Sequence, residues 1–196
     1  MRTVWLSLSL LVLASTQAAA NAAPDPSHSS VTGDLNGAVL IAPGNLNGTV
    51  LHVVVRNHLN NPWPNALVVV VYAPAIHPCA GFPRDCMTNA QGACDLSLRG
   101  GGCVLDPDGY SCLVIANGIE LRAFHNTRSP DNAGHTASAA DGSVNTADLP
   151  YFADEFRGHA PAACHDYDNT GVCDTGDLPF FGDAFRGALH CTLERR

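Results

Sequence analysis

Lysine is absent from the 196 residues, and all ten side-chain cations are arginines. That absence removes Schiff-base chemistry and any phosphate loop that relies on an ammonium group. Positive charge is scarce as well: 18 acidic side chains stand against 10 basic ones, a net charge of -8. This acidic balance argues against nucleic acid as a partner, since phosphate binding needs a basic stripe. Aromatic residues make up 7% of the chain and charged residues 14%, a composition that suits a compact β-rich body. No GxSxG or HExxH motif occurs, and the Gly100-Gly101-Gly102 run lacks the lysine and following helix of a phosphate cradle. The expectation is a protein that is not an enzyme.

What is present begins with a leader. Residues 1–22 open on Met1-Arg2, run apolar from Val4 to Ala14 and end in small residues up to Ala22, the grammar of a secretory signal peptide. Ser7, Ser9, Ser15 and Thr16 dilute the segment below what a bilayer span needs. No later run is long enough, so no membrane span is expected after cleavage. Eight cysteines agree with an oxidising, extracellular destination.

Two bodies follow. Residues 23–36 read as a flexible polar lead-in. Residues 37–128 read as a β-sandwich of short apolar strands at Ala38–Ala42, Thr49–Arg56, Ala66–Ala73, Cys94–Arg99, Ser111–Ala116 and Ile119–Phe124. Asn117-Gly118 between the last two is a strong hairpin signal. From Ser129 the grammar changes, with ten acidic residues between Asp131 and Asp183. Asp148-Leu149-Pro150-Tyr151-Phe152-Ala153-Asp154-Glu155-Phe156-Arg157-Gly158 recurs 29 residues later from Asp177 to Gly187. Leu149, Phe152 and Phe156, like Leu178, Phe181 and Phe185, fall at i, i+3, i+7, so each copy predicts a short helix whose aromatic stripe packs on the other copy. Asp154, Glu155 and Asp183 are expected on solvated helix faces. Residues 129–191 thus form a duplicated module, with 192–196 as a tail.

Asp166 to Asp177 counts as a twelve-residue loop with oxygen side chains at positions 1, 3, 5, 9 and 12 and glycine at 6. Such spacing wraps hard oxygens round one calcium ion. In the first copy Asp141, Ser143, Asn145 and Asp148 match positions 5, 7, 9 and 12, while positions 1 and 3 fall on Ala137 and Ala139. Asp131 could be the original first ligand, displaced by an insertion of roughly six residues. One good site and one weak or empty site are expected. Five cysteines lie in the sandwich and three in the repeat; Cys103–Cys112 and Cys164–Cys191 are the expected bridges. Zinc on cysteine with His165 or His190 finds no CxxC or HxxxH spacing.

Two resemblances accompany these readings. The segments Asn57-His58-Leu59-Asn60-Asn61-Pro62-Trp63-Pro64-Asn65-Ala66-Leu67-Val68 and Thr88-Asn89-Ala90-Gln91-Gly92-Ala93-Cys94-Asp95-Leu96 resemble bacterial exported Ig-like and transthyretin-like modules, which implies an Ig-like sandwich serving as stalk or adhesion unit. The loop-helix repeat, with Asp in place of Glu at position 12, resembles dockerin-type EF-hand-like modules. That likeness implies Ca²⁺ held by the side chains of Asp166, Asp168, Thr170, Asp174 and Asp177 and the carbonyl of Val172. A weaker first loop would use Asp131, Asp141, Ser143, Asn145 and Asp148. The implied partners are calcium and a cell-surface, matrix or cohesin-like protein. The loop positions that carry recognition in dockerins hold Thr146-Ala147 and Thr175-Gly176, too little to claim a cohesin. A carbohydrate-binding accessory role is the alternative.

Overall fold

Alternation of buried and exposed residues along β-branched runs builds two antiparallel sheets. The computed structural model describes residues 23–136 and 138–194; the expected signal peptide lies outside them. One sheet has the order β1 (Ser30–Thr32), β3 (Val50–Val54), β7 (Ala93–Ser97). The other runs β11 (Ile119–Phe124), β10 (Cys112–Ala116), β4 (Leu67–Tyr72), β6 (Asp85–Met87). Leu51 and Val53 of the first sheet and Val68, Val70, Val114 and Ala116 of the second belong to a single apolar core, as period-2 strands demand. Asn117 and Gly118 both take positive φ, 47° and 84°, and close the β10–β11 hairpin with Ala116 opposite Ile119. The fold is mainly β with a small helical module.

The six expected strands exist with trimmed ends, and shorter ones join them. The lead-in is corrected: Val31 is buried in the core and Ser30–Thr32 pair with His52–Val54. Arg122 of β11 holds this segment by two 2.9 Å bonds to the Asp34 carboxylate. The tail is likewise tied at residues 192–194, where the Ala80 and Glu194 N–H groups donate to Thr192 and Pro78 carbonyls.

Two small sheets sit where the bodies meet. β2 (Ala38–Leu40) runs parallel to β12 (Asn126–Arg128), which also pairs with β9 (Val104–Leu105); β5 (His77–Pro78) pairs with β8 (Gly100–Gly101). β2 sends alternate side chains in opposite directions. Val39 and Ile41 enter the sandwich core, whereas Leu40 enters a second core with Val144, Phe152, Tyr167, Cys173, Phe181 and Ala184. The two bodies are therefore built on a shared strand.

The repeat yields helices α1 (Leu149–Phe156) and α2 (Leu178–Arg186), each with proline in its first turn. Phe152 and Phe181 stack at 4.5 Å with an interplanar angle of 6°, joining the copies as expected. The buried stripe is rotated from the predicted one, however. Phe152 and Glu155 are buried in α1 and Phe181 and Ala184 in α2, while Leu149 and Leu178 are both 42% exposed. Glu155, expected in solvent, is inside.

The expected disulfides are also corrected. Cys79–Cys191 and Cys103–Cys164 cross between the bodies, and Cys86–Cys94 links β6 to β7. Position along the chain suggested local bridges, but β5, β8 and the tail bring distant cysteines together. Cys112 and Cys173 remain as buried thiols. Burial pushes both up to about 12, so neither is a thiolate nucleophile at neutral pH.

Candidate metal centre

The loop from Asp166 to Asp177 is folded by its own carboxylates. Asp166 accepts the Thr170 and Gly171 N–H groups, each at 2.9 Å, one on each oxygen. Asp177 accepts from the Tyr167 and Asp168 N–H groups on one oxygen and from Asp174 N–H at 2.9 Å on the other. Asp174 takes the Gly176 N–H at 2.7 Å. Gly171 turns the chain at φ 92°, a region closed to most side chains. These bonds fix each carboxylate and leave its remaining lone pairs for a cation.

Asp166, Asp168 and Asp177 bring carboxylate oxygens within 4.8 Å of one another, with Asp166 and Asp177 fully buried. Like charges so placed are expensive without a counter-ion. Burial accordingly raises Asp177 to about 6. Burial also raises Asp166, against the pull of Arg128. Thr170 Oγ donates to the Val172 carbonyl at 3.3 Å, which keeps both expected ligands on one turn. Asp174 is exposed and lies outside the three-carboxylate group. The donor set of hard oxygens fits calcium better than a softer metal.

The first copy repeats this frame through its insertion. Asp131 accepts the Asp141 N–H at 3.1 Å on one oxygen and the Gly142 N–H at 3.0 Å on the other. Those are positions 5 and 6, the same partners that Asp166 uses. Asp148 takes the Asn145 N–H at 2.9 Å and is bonded by the Asn132 backbone, as Asp177 is by positions 9 and 2. Asn145 takes the Ala147 N–H at 2.7 Å, matching Asp174. Asp131 therefore stands at position 1, and residues 133–138 are extra. Asp141 is exposed and caps the Ser143 N–H. Among the described residues no three carboxylates of this loop converge as those of the second do. Burial raises Asp131 to about 6 and also raises Asp148.

Each loop is backed by the β body. A Cβ on Gly101 would lie 2.0 Å from an Asp131 oxygen, so the glycine run of β8 makes room for the first loop. Behind the second loop, buried Arg128 reaches the Asp166 carboxylate at 3.4 Å and bonds the Asp166 carbonyl. Asn36 donates to the Asp168 carbonyl at 2.7 Å. Arg128 did not stand out in the sequence and the glycine run stood out only as a rejected phosphate cradle; the role of each is legible only through tertiary contact. No protein-family model, curated protein or solved structure matches the chain. Among the described residues no helix is long and apolar enough to cross a membrane, and three disulfides agree with an oxidising compartment.

Proposed function

We propose that this is an exported, non-enzymatic calcium-binding protein with a structural, adhesive or protein-interaction role. An Ig-like sandwich would carry a dockerin-like module that calcium stabilises. The observation that carries the reading is the convergence of the Asp166, Asp168 and Asp177 carboxylates, each oriented by backbone N–H groups of its own loop. A bound dication offsets their repulsion, so that binding energy becomes folding energy. Asp166, Asp168, Thr170, Val172, Asp174 and Asp177 serve the stronger site. Asp131, Asp141, Ser143, Asn145 and Asp148 serve the weaker.

A dockerin-style assembly role is favoured by one further observation. Leu149 and Leu178, equivalent in the two helices, are equally exposed at 42%, a duplicated apolar position suited to a protein receptor. The experiment is calorimetric titration of the mature chain with calcium, with thermal melts in calcium and in chelator. A calcium-dependent rise in Tm and binding lost in Asp177→Asn support the reading. No heat and no shift overturn it.

A further inference from the structure

His135, Glu155 and His165 meet in the helical module outside both loops. Nδ1 of His165 lies 2.8 Å and Nδ1 of His135 lies 3.2 Å from the same Glu155 Oε1. The three ligand atoms are within 4.8 Å of one another. The other Glu155 oxygen is held by the Ala163 and His165 N–H groups at 2.8 and 3.1 Å. His165 Nε2 sits 3.1 Å from the Asn132 carbonyl. That carbonyl can only accept, so Nε2 donates to it and Nδ1 is the nitrogen that faces the Glu155 carboxylate. A proton on Nδ1 or a metal ion joins that nitrogen to Oε1. A backbone carbonyl on the far nitrogen and fixed N–H donors on the carboxylate are the supports that orient metal ligands.

The repeat shows that this cluster is an addition. At the place of Glu155 the second copy has Ala184, fully buried in the core. At the place of His165, before the first loop residue, the first copy has Pro130. His135 lies in the six-residue insertion and has no counterpart. All three groups are departures from the duplicated frame.

We propose that His135, Glu155 and His165 form a second metal site, selective for a zinc-class divalent ion. Two imidazoles and one carboxylate suit zinc and fall short of calcium's six to eight oxygens. Bonds of about 2.1 Å in a tetrahedron separate ligand atoms by about 3.4 Å, near the 3.2 Å from His135 Nδ1 to Oε1, while the 2.8 Å from His165 Nδ1 opens by about 0.6 Å on metal binding. Glu155 and His165 have fully buried side chains, while that of His135 is 28% exposed and leaves the fourth position open to water or a partner's ligand. The rings of Tyr151 and Phe152 flank the site at 5.1 and 6.2 Å from His135 and His165. The proposal stands independently of calcium in the loops.

The test is calorimetric titration of the mature chain with zinc chloride, run in saturating calcium and again in calcium-free buffer. One zinc equivalent with micromolar or tighter affinity is expected in both. His135→Ala, on the insertion, should weaken zinc at least tenfold while leaving the thermal melt unchanged. Glu155→Gln should weaken it further. Absence of zinc binding to the wild-type chain overturns the proposal. So does zinc uptake that calcium abolishes, or wild-type zinc affinity in His135→Ala.

Discussion

The two copies of the repeat have the same hydrogen-bond frame and different contents. Positions 1, 2, 5, 6, 9, 11 and 12 bond alike in both loops, although six extra residues enter the first between positions 2 and 5. Lengthening a loop costs little entropy once its ends are pinned. What the first loop lacks is a side chain: position 3 has Asp168 in the second loop and Ala139 in the first. The frame of such a loop is thus separable from its charge, and the number of charged ligands is one of the terms that tune calcium affinity.

The largest way to break the comparison is Asp166→Ala. It removes a proposed ligand and the carboxylate partner of buried Arg128, and the loss of one partner of a buried pair costs about 3–5 kcal/mol. Chemical denaturation in chelator should show that loss, and calorimetry should show the tighter calcium site gone. Asp131→Ala should remove only the weaker site and cost less, since among the described residues no arginine is paired with it.

Phe152→Ala and Phe181→Ala should each destabilise the chain by about 3 kcal/mol, because the rings stack on each other. Equal losses by denaturant melt would show that the copies share one core. A loss confined to one would show that each helix is held by the β body instead.

A variant that sharpens the contrast deletes residues 133–138 and carries Ala139→Asp. It restores a twelve-residue loop with carboxylates at positions 1, 3, 5 and 12. Calcium affinity of the first site should rise at least tenfold by calorimetry, and zinc binding should disappear with His135.

The smallest effect is pH, and its sign differs with calcium. Burial raises Asp131 and Asp177 from 3.8 to about 6. The metal-free fold therefore holds more protons than the unfolded chain, and its stability declines as pH rises from about 4 to about 6. Calcium needs both groups ionised, so affinity at each site should fall about tenfold between pH 7 and pH 5. Melts in chelator should rise on acidification while melts in calcium fall.

Much of this was legible before any coordinates. Strand alternation located the six main strands, Asn117-Gly118 the hairpin, and the repeat both helices and the displaced Asp131. The rest depended on which distant segments meet. Disulfide partners are set by tertiary proximity, and the Cys79–Cys191 pair spans 112 residues. Ser30-Val31-Thr32 is too short a run to signal a strand, and it orders because Val31 fills the core and Asp34 meets Arg122. Glu155 had a readable signal that went unused: aligned copies put a carboxylate where the other has a core alanine.

The bond from Cys79 to Cys191 has a mechanical consequence. A load entering beyond Cys191 passes across that bond to residue 79 and skips the chain between, a sequence separation of 112. At about 3.4 Å per extended residue, about 380 Å of contour length is withheld from extension. The two acidic loops and the second sheet beyond β4 lie inside the bypassed span, out of the line of force. Pulling on both sides of this bond would extend the strands before residue 79, and the loops would lose only what those strands give them: Leu40 in the second core and the Asn36 bond to Asp168.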